Sequence, residues 1–168
     1  ESIEKKFLNW KLKVVGPGDK NYVSSLKDIV KNKNLKNIIF TGPLYCSEKQ
    51  SVYQNSDLFI LPTHSENFGM VVAEALSNEC PAIVSQEAPW SGLKKNQCGW
   101  WIPNNVENLE KTLEKAMSLP KKELQTMGVR GRAWMKSDFS WDRIAILMEE
   151  GYRWLLDGGT PPNTIIIE

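Results

Sequence analysis

Charge of one sign is not in surplus. The 21 Lys and Arg stand against 20 Asp and Glu, a formal net charge of +1, so the chain has no overall field for non-specific nucleic-acid binding. Any anion it takes must be bound locally. Histidine is nearly absent, with His64 alone, and the three cysteines, Cys46, Cys80 and Cys98, show neither CxxC nor short Cys/His spacing. That odd, scattered set argues against a disulfide framework or a structural zinc site and for a reducing, cytoplasmic setting. No apolar stretch approaches the ~20 residues of a membrane-spanning helix. The charged start ESIEKK is not a signal peptide, so the sequence predicts a soluble chain. No internal repeat, low-complexity tract or linker divides it. What is present is 168 residues with 41% hydrophobic content, enough for one domain with a real core.

Short apolar runs rich in β-branched residues alternate with segments of helical period. KLKVVG (11–16), NIIFTG (37–42), DLFIL (57–61), PAIVS (81–85) and GWWIP (99–103) read as strands. Tyr22, Val23, Leu26, Ile29 and Val30 fall on one helix face, and Ser47 with Gln50 forms a candidate capping box for a short helix to about Asn55. Residues 70–78 read as a helix, and 106–154 as three helices broken near Pro120 and Ser137. Continuous apolar runs predict strands covered on both faces, and the order predicts an α/β fold with a parallel sheet and a helical C-terminal end. The first ten residues read as the end of a helix whose preceding strand is absent, so we expect a chain that starts inside a βα unit. Residues 1–156 are taken as the domain and 157–168, with the run Ile165, Ile166 and Ile167, as an irregular tail.

In open parallel sheets ligands sit beyond the carboxyl ends of the strands. Three loops there carry unusual residues: Gly16-Pro17-Gly18, Thr41-Gly42-Pro43, and the segment from Pro62 to Gly69. Gly/Pro turns after strands are ordinary, and the first two loops alone say little. The third holds Glu66 in the loop and Glu74 eight residues on, one turn into the following helix, where Val71, Val72 and Ala75 would supply packing. A carboxylate near a helix N-terminus also gains from the helix dipole, which is the plainer reading of Glu74. Two acceptors beside a row of backbone N–H donors nevertheless suit a ligand with hydroxyls and a phosphate. His64 is left without a role. The Trp100-Trp101 pair reads as packing rather than a sugar platform, and Trp134, Trp141 and Trp154 as packing in the helical end.

The stretch P-x-x-x-E-x-F-G-x-x-x-x-E-A, here Pro62, Glu66, Phe68, Gly69, Glu74 and Ala75, resembles the E-x7-E signature of GT4-type retaining glycosyltransferases of the GT-B fold. VVGPGD, the F-x-G turn from Phe40 to Gly42, SDLFILP and NECPAIVS extend the resemblance over nearly the whole chain. It implies a Rossmann-like parallel sheet with helices on both faces, the C-terminal, donor-binding domain of a two-domain enzyme. It also implies transfer of a sugar from a nucleotide diphosphate sugar to an acceptor hydroxyl with retention, in surface polysaccharide or lipopolysaccharide assembly.

By the same resemblance Glu66 is catalytic, against the donor sugar's hydroxyls, and Glu74 accepts from the ribose hydroxyls. Asn67, Phe68, Gly69, Met70 and Val71 face sugar and diphosphate, Gly16 and Gly18 approach the phosphates, and Leu44 lies near the base. Neither cofactor nor metal is expected. The implied partners are the nucleotide-sugar donor and an N-terminal acceptor-binding domain, with peripheral membrane association of the full-length enzyme and self-association through an exposed sheet edge, but no nucleic acid. The chain departs from the pattern twice. The family's diphosphate-gripping Arg and Lys would lie upstream of Glu1, and residues 87–93 replace a common Gly-Gly-x-x-E segment. Two other readings stand beside this one: a GT-B-type sugar-nucleotide epimerase, and a non-catalytic nucleotide-binding module.

Overall fold

The computed structural model describes residues 2–165. Along the chain run α1 (Ser2–Lys6), β1 (Leu12–Val15), α2 (Lys20–Asn32), β2 (Ile38–Gly42), α3 (Cys46–Gln54), β3 (Phe59–Leu61), α4 (Met70–Ser77), β4 (Ala82–Ser85), α5 (Gly92–Lys95), β5 (Gly99–Ile102), α6 (Val106–Met117), α7 (Lys121–Asp138) and α8 (Trp141–Asp157). The order is the alternating α/β pattern with a helical C-terminal end that the periodicities predict.

Local chemistry sets the helix starts. Asp19 accepts the N–H groups of Asn21 and Tyr22, both at 2.9 Å, and so opens α2 directly after the Pro17-Gly18 turn. Asn105 caps α6 by accepting from Asn108 N at 2.8 Å, and Ser140 caps α8 by accepting from Arg143 N at 3.2 Å. The expected Ser47/Gln50 capping box does not form. The helix α3 begins two residues earlier than that box requires, and its cap position is Tyr45, extended and without a side-chain cap bond. Ser47 therefore lies inside the first turn, where its hydroxyl has no exposed N2 or N3 donor to cap.

All strand pairs are parallel, but they fall in two ladders rather than one continuous sheet: β1 beside β2, and β3-β4-β5 with β4 in the middle. β4, with Ala82, Ile83, Val84 and Ser85 all buried, is covered on both faces as its apolar run predicts. The same expectation fails for β1, whose four residues are all exposed, Val14 by 39%. Its only ladder neighbour among the described residues is β2, and α2, which follows it, buries no residue.

The core lies around the second ladder: Val72 and Leu76 of α4, Ala82 and Val84 of β4, Ala88, Trp90, Leu93 of α5, Cys98 and Met135 of α7. Each large apolar side chain buried there contributes about 1.5–3 kcal/mol. Contact between α4 and α7 depends on glycine: a Cβ on Gly128 would lie 1.9 Å from the carbonyl oxygen of Glu79, and one on Gly131 2.8 Å from Leu76. Trp134 packs as expected, but Trp141, the first residue of α8, is 88% exposed rather than packed. Trp101 also packs, donating its indole N–H to Ala88 O at 2.8 Å.

Candidate functional site

Residues 62–69 leave the carboxyl end of β3 and lead into α4. The loop is pinned at both ends. Near its start the buried Ser85, last residue of β4, donates its hydroxyl to Thr63 O at 2.7 Å and accepts Thr63 N–H at 3.0 Å. Asn104, just past β5, donates its side-chain amide to the same Thr63 carbonyl at 2.8 Å and lies 3.1 Å from His64 Nδ1. Near its end the indole N–H of Trp90 donates to Phe68 O at 2.5 Å. Trp90 is 1% exposed, and with Phe68, Trp134 and Phe139 it makes a cluster of tilted and edge-on rings with centroids 5.2–5.8 Å apart.

Between the pins the chain turns at Gly69, whose φ of 79° is left-handed. A Cβ there would lie 3.1 Å from Trp90 Nε1 and 3.2 Å from Glu66 Cγ, so this position needs glycine for conformation and for space. Gly69 is also the N-cap of α4 and brings no side chain to the cap. Val72 N–H bonds Gly69 O at 2.8 Å, while no acceptor among the described residues takes the N–H groups of Met70 or Val71. The first turn of α4 therefore presents free donors and the positive end of the helix dipole to solvent.

Glu66 is half-buried and accepts from its neighbour's N–H, Asn67, at 3.1 Å. Glu74 is held from α3: Oε1 accepts from Lys49 Nζ at 2.6 Å, and Oε2 accepts from Tyr53 O–H at 3.1 Å. Burial, and then the charge of Glu74, push the Tyr53 phenol well above its usual range, which keeps it a proton donor to the carboxylate. Lys49 and Tyr53 were missed in the sequence, although their i, i+4 spacing puts them on one face of α3. A carboxylate has about four acceptor positions, so these two partners orient Glu74 and leave capacity for hydroxyls.

Phe68, Met70 and Val71 are exposed by 38%, 64% and 37%, and Asn67 is exposed as well. Val71 thus does not pack as its apolar character predicts; Val72, Ala75 and Leu76 fill the inner face of α4. Gly16 has a φ of 143° and open space where a Cβ would stand, its N–H bonding Gly42 O at 3.0 Å. A Cβ on Gly18 would meet Val23 at 2.8 Å. Gly16, Gly18 and Leu44 all follow the carboxyl ends of the first ladder, and no hydrogen bond among the described residues joins them to the 62–70 loop. A polar cleft of about 470 Å³, lined by Asp57, Asn78, Glu79, Lys121 and Arg132, lies elsewhere, at the amino-terminal side of β3 and β4.

The chain is similar to known proteins in sequence and in fold. In sequence the chain is 29% identical to a glycogen synthase of Geotalea uraniireducens over 88% of this chain and 32% of that protein. It is 26% identical to an uncharacterized glycosyltransferase of Haemophilus influenzae over 84% of this chain and 40% of that one. It therefore spans roughly a third to two fifths of these relatives. In structure it matches sucrose-phosphate synthase from Thermosynechococcus elongatus with a TM-score of 0.73 at 23% identity, covering 89% of this chain and 39% of that one. It also matches the C-terminal domain of a glycosyl transferase group 1 family protein from Francisella tularensis, with a TM-score of 0.70 at 24% identity, covering 82% and 74%. These likenesses identify the fold as that of GT-B glycosyltransferases. Residues 1–134, which include the pinned loop and both glutamates, match the family model described as glycosyl transferases group 1, and the chain belongs to that family.

Proposed function

We propose that this chain is the donor-binding part of a glycosyltransferase that moves a sugar from a nucleotide diphosphate sugar to an acceptor hydroxyl with retention. The observation that carries the reading is the placement of Glu66 and Glu74 around the open first turn of α4, at the carboxyl end of β3. Glu74, oriented by Lys49 and Tyr53, would accept the ribose hydroxyls. Glu66, packed against Gly69, would meet the donor sugar, and the N–H groups of Met70 and Val71 would face the diphosphate.

The chemistry is sound at this site. Breaking the bond from sugar to diphosphate builds negative charge on the leaving oxygens, and fixed N–H donors at a helix N-terminus stabilise it. Retention, GT4-type membership, a role in surface polysaccharide or lipopolysaccharide assembly, cytoplasmic location, an acceptor-binding domain as partner and operation without a metal belong to the proposal. The test is to assay the whole protein with UDP-, GDP- and ADP-sugars and an acceptor extract. Transfer is expected, lost in folded Glu66→Gln and unchanged by EDTA. Interconversion of donors without transfer, or donors left intact by the folded protein, would contradict the reading.

A further inference from the structure

His64 is exposed on the same loop as Glu66, and its place is set by Asn104. The Asn104 side chain lies 2.8 Å from Thr63 O through its nitrogen, and a carbonyl can only accept, so the amide group there must be the NH2. The second N–H of that NH2 reaches His64 Nδ1 at 3.1 Å, which makes Nδ1 an acceptor. In the neutral ring the proton then belongs on Nε2, and no acceptor among the described residues takes it.

Beside the backbone N–H groups of Met70 and Val71, few side chains around the loop are fixed donors. Lys49 is engaged by Glu74, and the Asn67 side chain forms no hydrogen bond among the described residues. His64 is different. Asn104 is held by the Thr63 carbonyl, Thr63 is held by Ser85, and the imidazole is therefore oriented before any ligand arrives. Pre-set donors lose little freedom on binding and are the ones that stabilise an anion best.

We propose that His64, oriented by Asn104 with Nδ1 as the acceptor, donates its Nε2–H to the diphosphate of the bound donor nucleotide, with Asn104 as its positioning residue. The proposal rests on the donor-binding reading given above. Because the sequence holds one histidine, ring-nitrogen NMR of the labelled protein reports this side chain without assignment work. On the neutral ring, Nδ1 is expected unprotonated and Nε2 protonated. Asn104→Asp, which can only accept, is expected to reverse the tautomer.

Binding is read with UDP, GDP and ADP and with the matching nucleosides. His64→Ala should weaken the preferred nucleoside diphosphate about tenfold or more while leaving the nucleoside unchanged. His64→Gln, which can carry an N–H near the Nε2 position, should recover part of the loss, and Asn104→Asp should resemble His64→Ala. An Nδ1–H tautomer in the wild-type protein, or unchanged diphosphate affinity in folded His64→Ala, would overturn the proposal. If Glu74→Ala loses nucleotide while His64→Ala does not, this inference alone fails. If the wild-type protein binds none of the three diphosphates, the donor-binding reading fails with it.

Discussion

Glu74 illustrates how a residue acquires a role from partners distant in sequence. Its carboxylate is fixed by a lysine and a tyrosine from the preceding helix, 25 and 21 residues back, and its position on α4 follows from the left-handed turn at Gly69. The motif spacing made both glutamates legible as candidates. The residues that hold the site, Lys49, Tyr53, Ser85, Trp90 and Asn104, were not legible, because each meets it through a tertiary contact that no local period encodes. The cysteines give a test at the same scale. Cys46 is exposed, whereas burial pushes the Cys98 thiol up to about 11 and the Cys80 thiol up to about 12. One thiol of the three should react with iodoacetamide in the native protein, located at Cys46 by peptide mapping. Because these two acids titrate higher in the folded chain than in the unfolded one, their contribution is full below about pH 9 and is lost as pH rises towards 11 and 12. Urea stability should therefore fall as pH rises from about 9 towards 11. Each thiol supplies at most about 1.4 kcal/mol per pH unit, and Cys80→Ala with Cys98→Ala should flatten the decline.

Among the elements, α4 carries the site on one face and the core on the other, so its packing fixes the geometry of the loop before it. Gly128 and Gly131 of α7 let the two helices approach, and the first of these has no room even for a methyl group beside the Glu79 carbonyl. Gly128→Ala should cost about 3 kcal/mol or more in urea unfolding, since the clash is with backbone that cannot rotate away. A change below about 1 kcal/mol would show that the helices are not in this register. The strands and most helices were readable because β-branched runs and 3.6-residue periods survive in the chain. The helix α5 was not, since four residues, GLKK, show no period, and its placement depends on Gly92 making room for Trp134. Nor was the start of α3, where an apparent capping box was overridden by the extended chain at Tyr45.

Over the whole molecule, every fully buried described residue falls within 69–135, around the β3-β4-β5 ladder. The candidate site lies at the carboxyl end of that ladder, directly on the best-packed part of the chain. Ser85 and Trp90 come from the core to hold it, which suits a site that must present donors and acceptors in fixed positions. The division into two ladders and the exposure of β1 could not be read from composition, because an apolar run reports what a strand can bury and not which neighbours it has. The central claim is that Glu74 accepts the ribose hydroxyls of a nucleoside diphosphate bound at the first turn of α4. Titration calorimetry of the wild-type protein and Glu74→Ala, each with the preferred nucleoside diphosphate and its 2′,3′-dideoxy form, tests it most directly. The dideoxy form should bind the wild-type protein roughly 10- to 150-fold more weakly, a difference of about 1.5–3 kcal/mol that disappears in Glu74→Ala. Equal affinities in the wild-type protein, or a difference that persists in folded Glu74→Ala, would contradict the assignment.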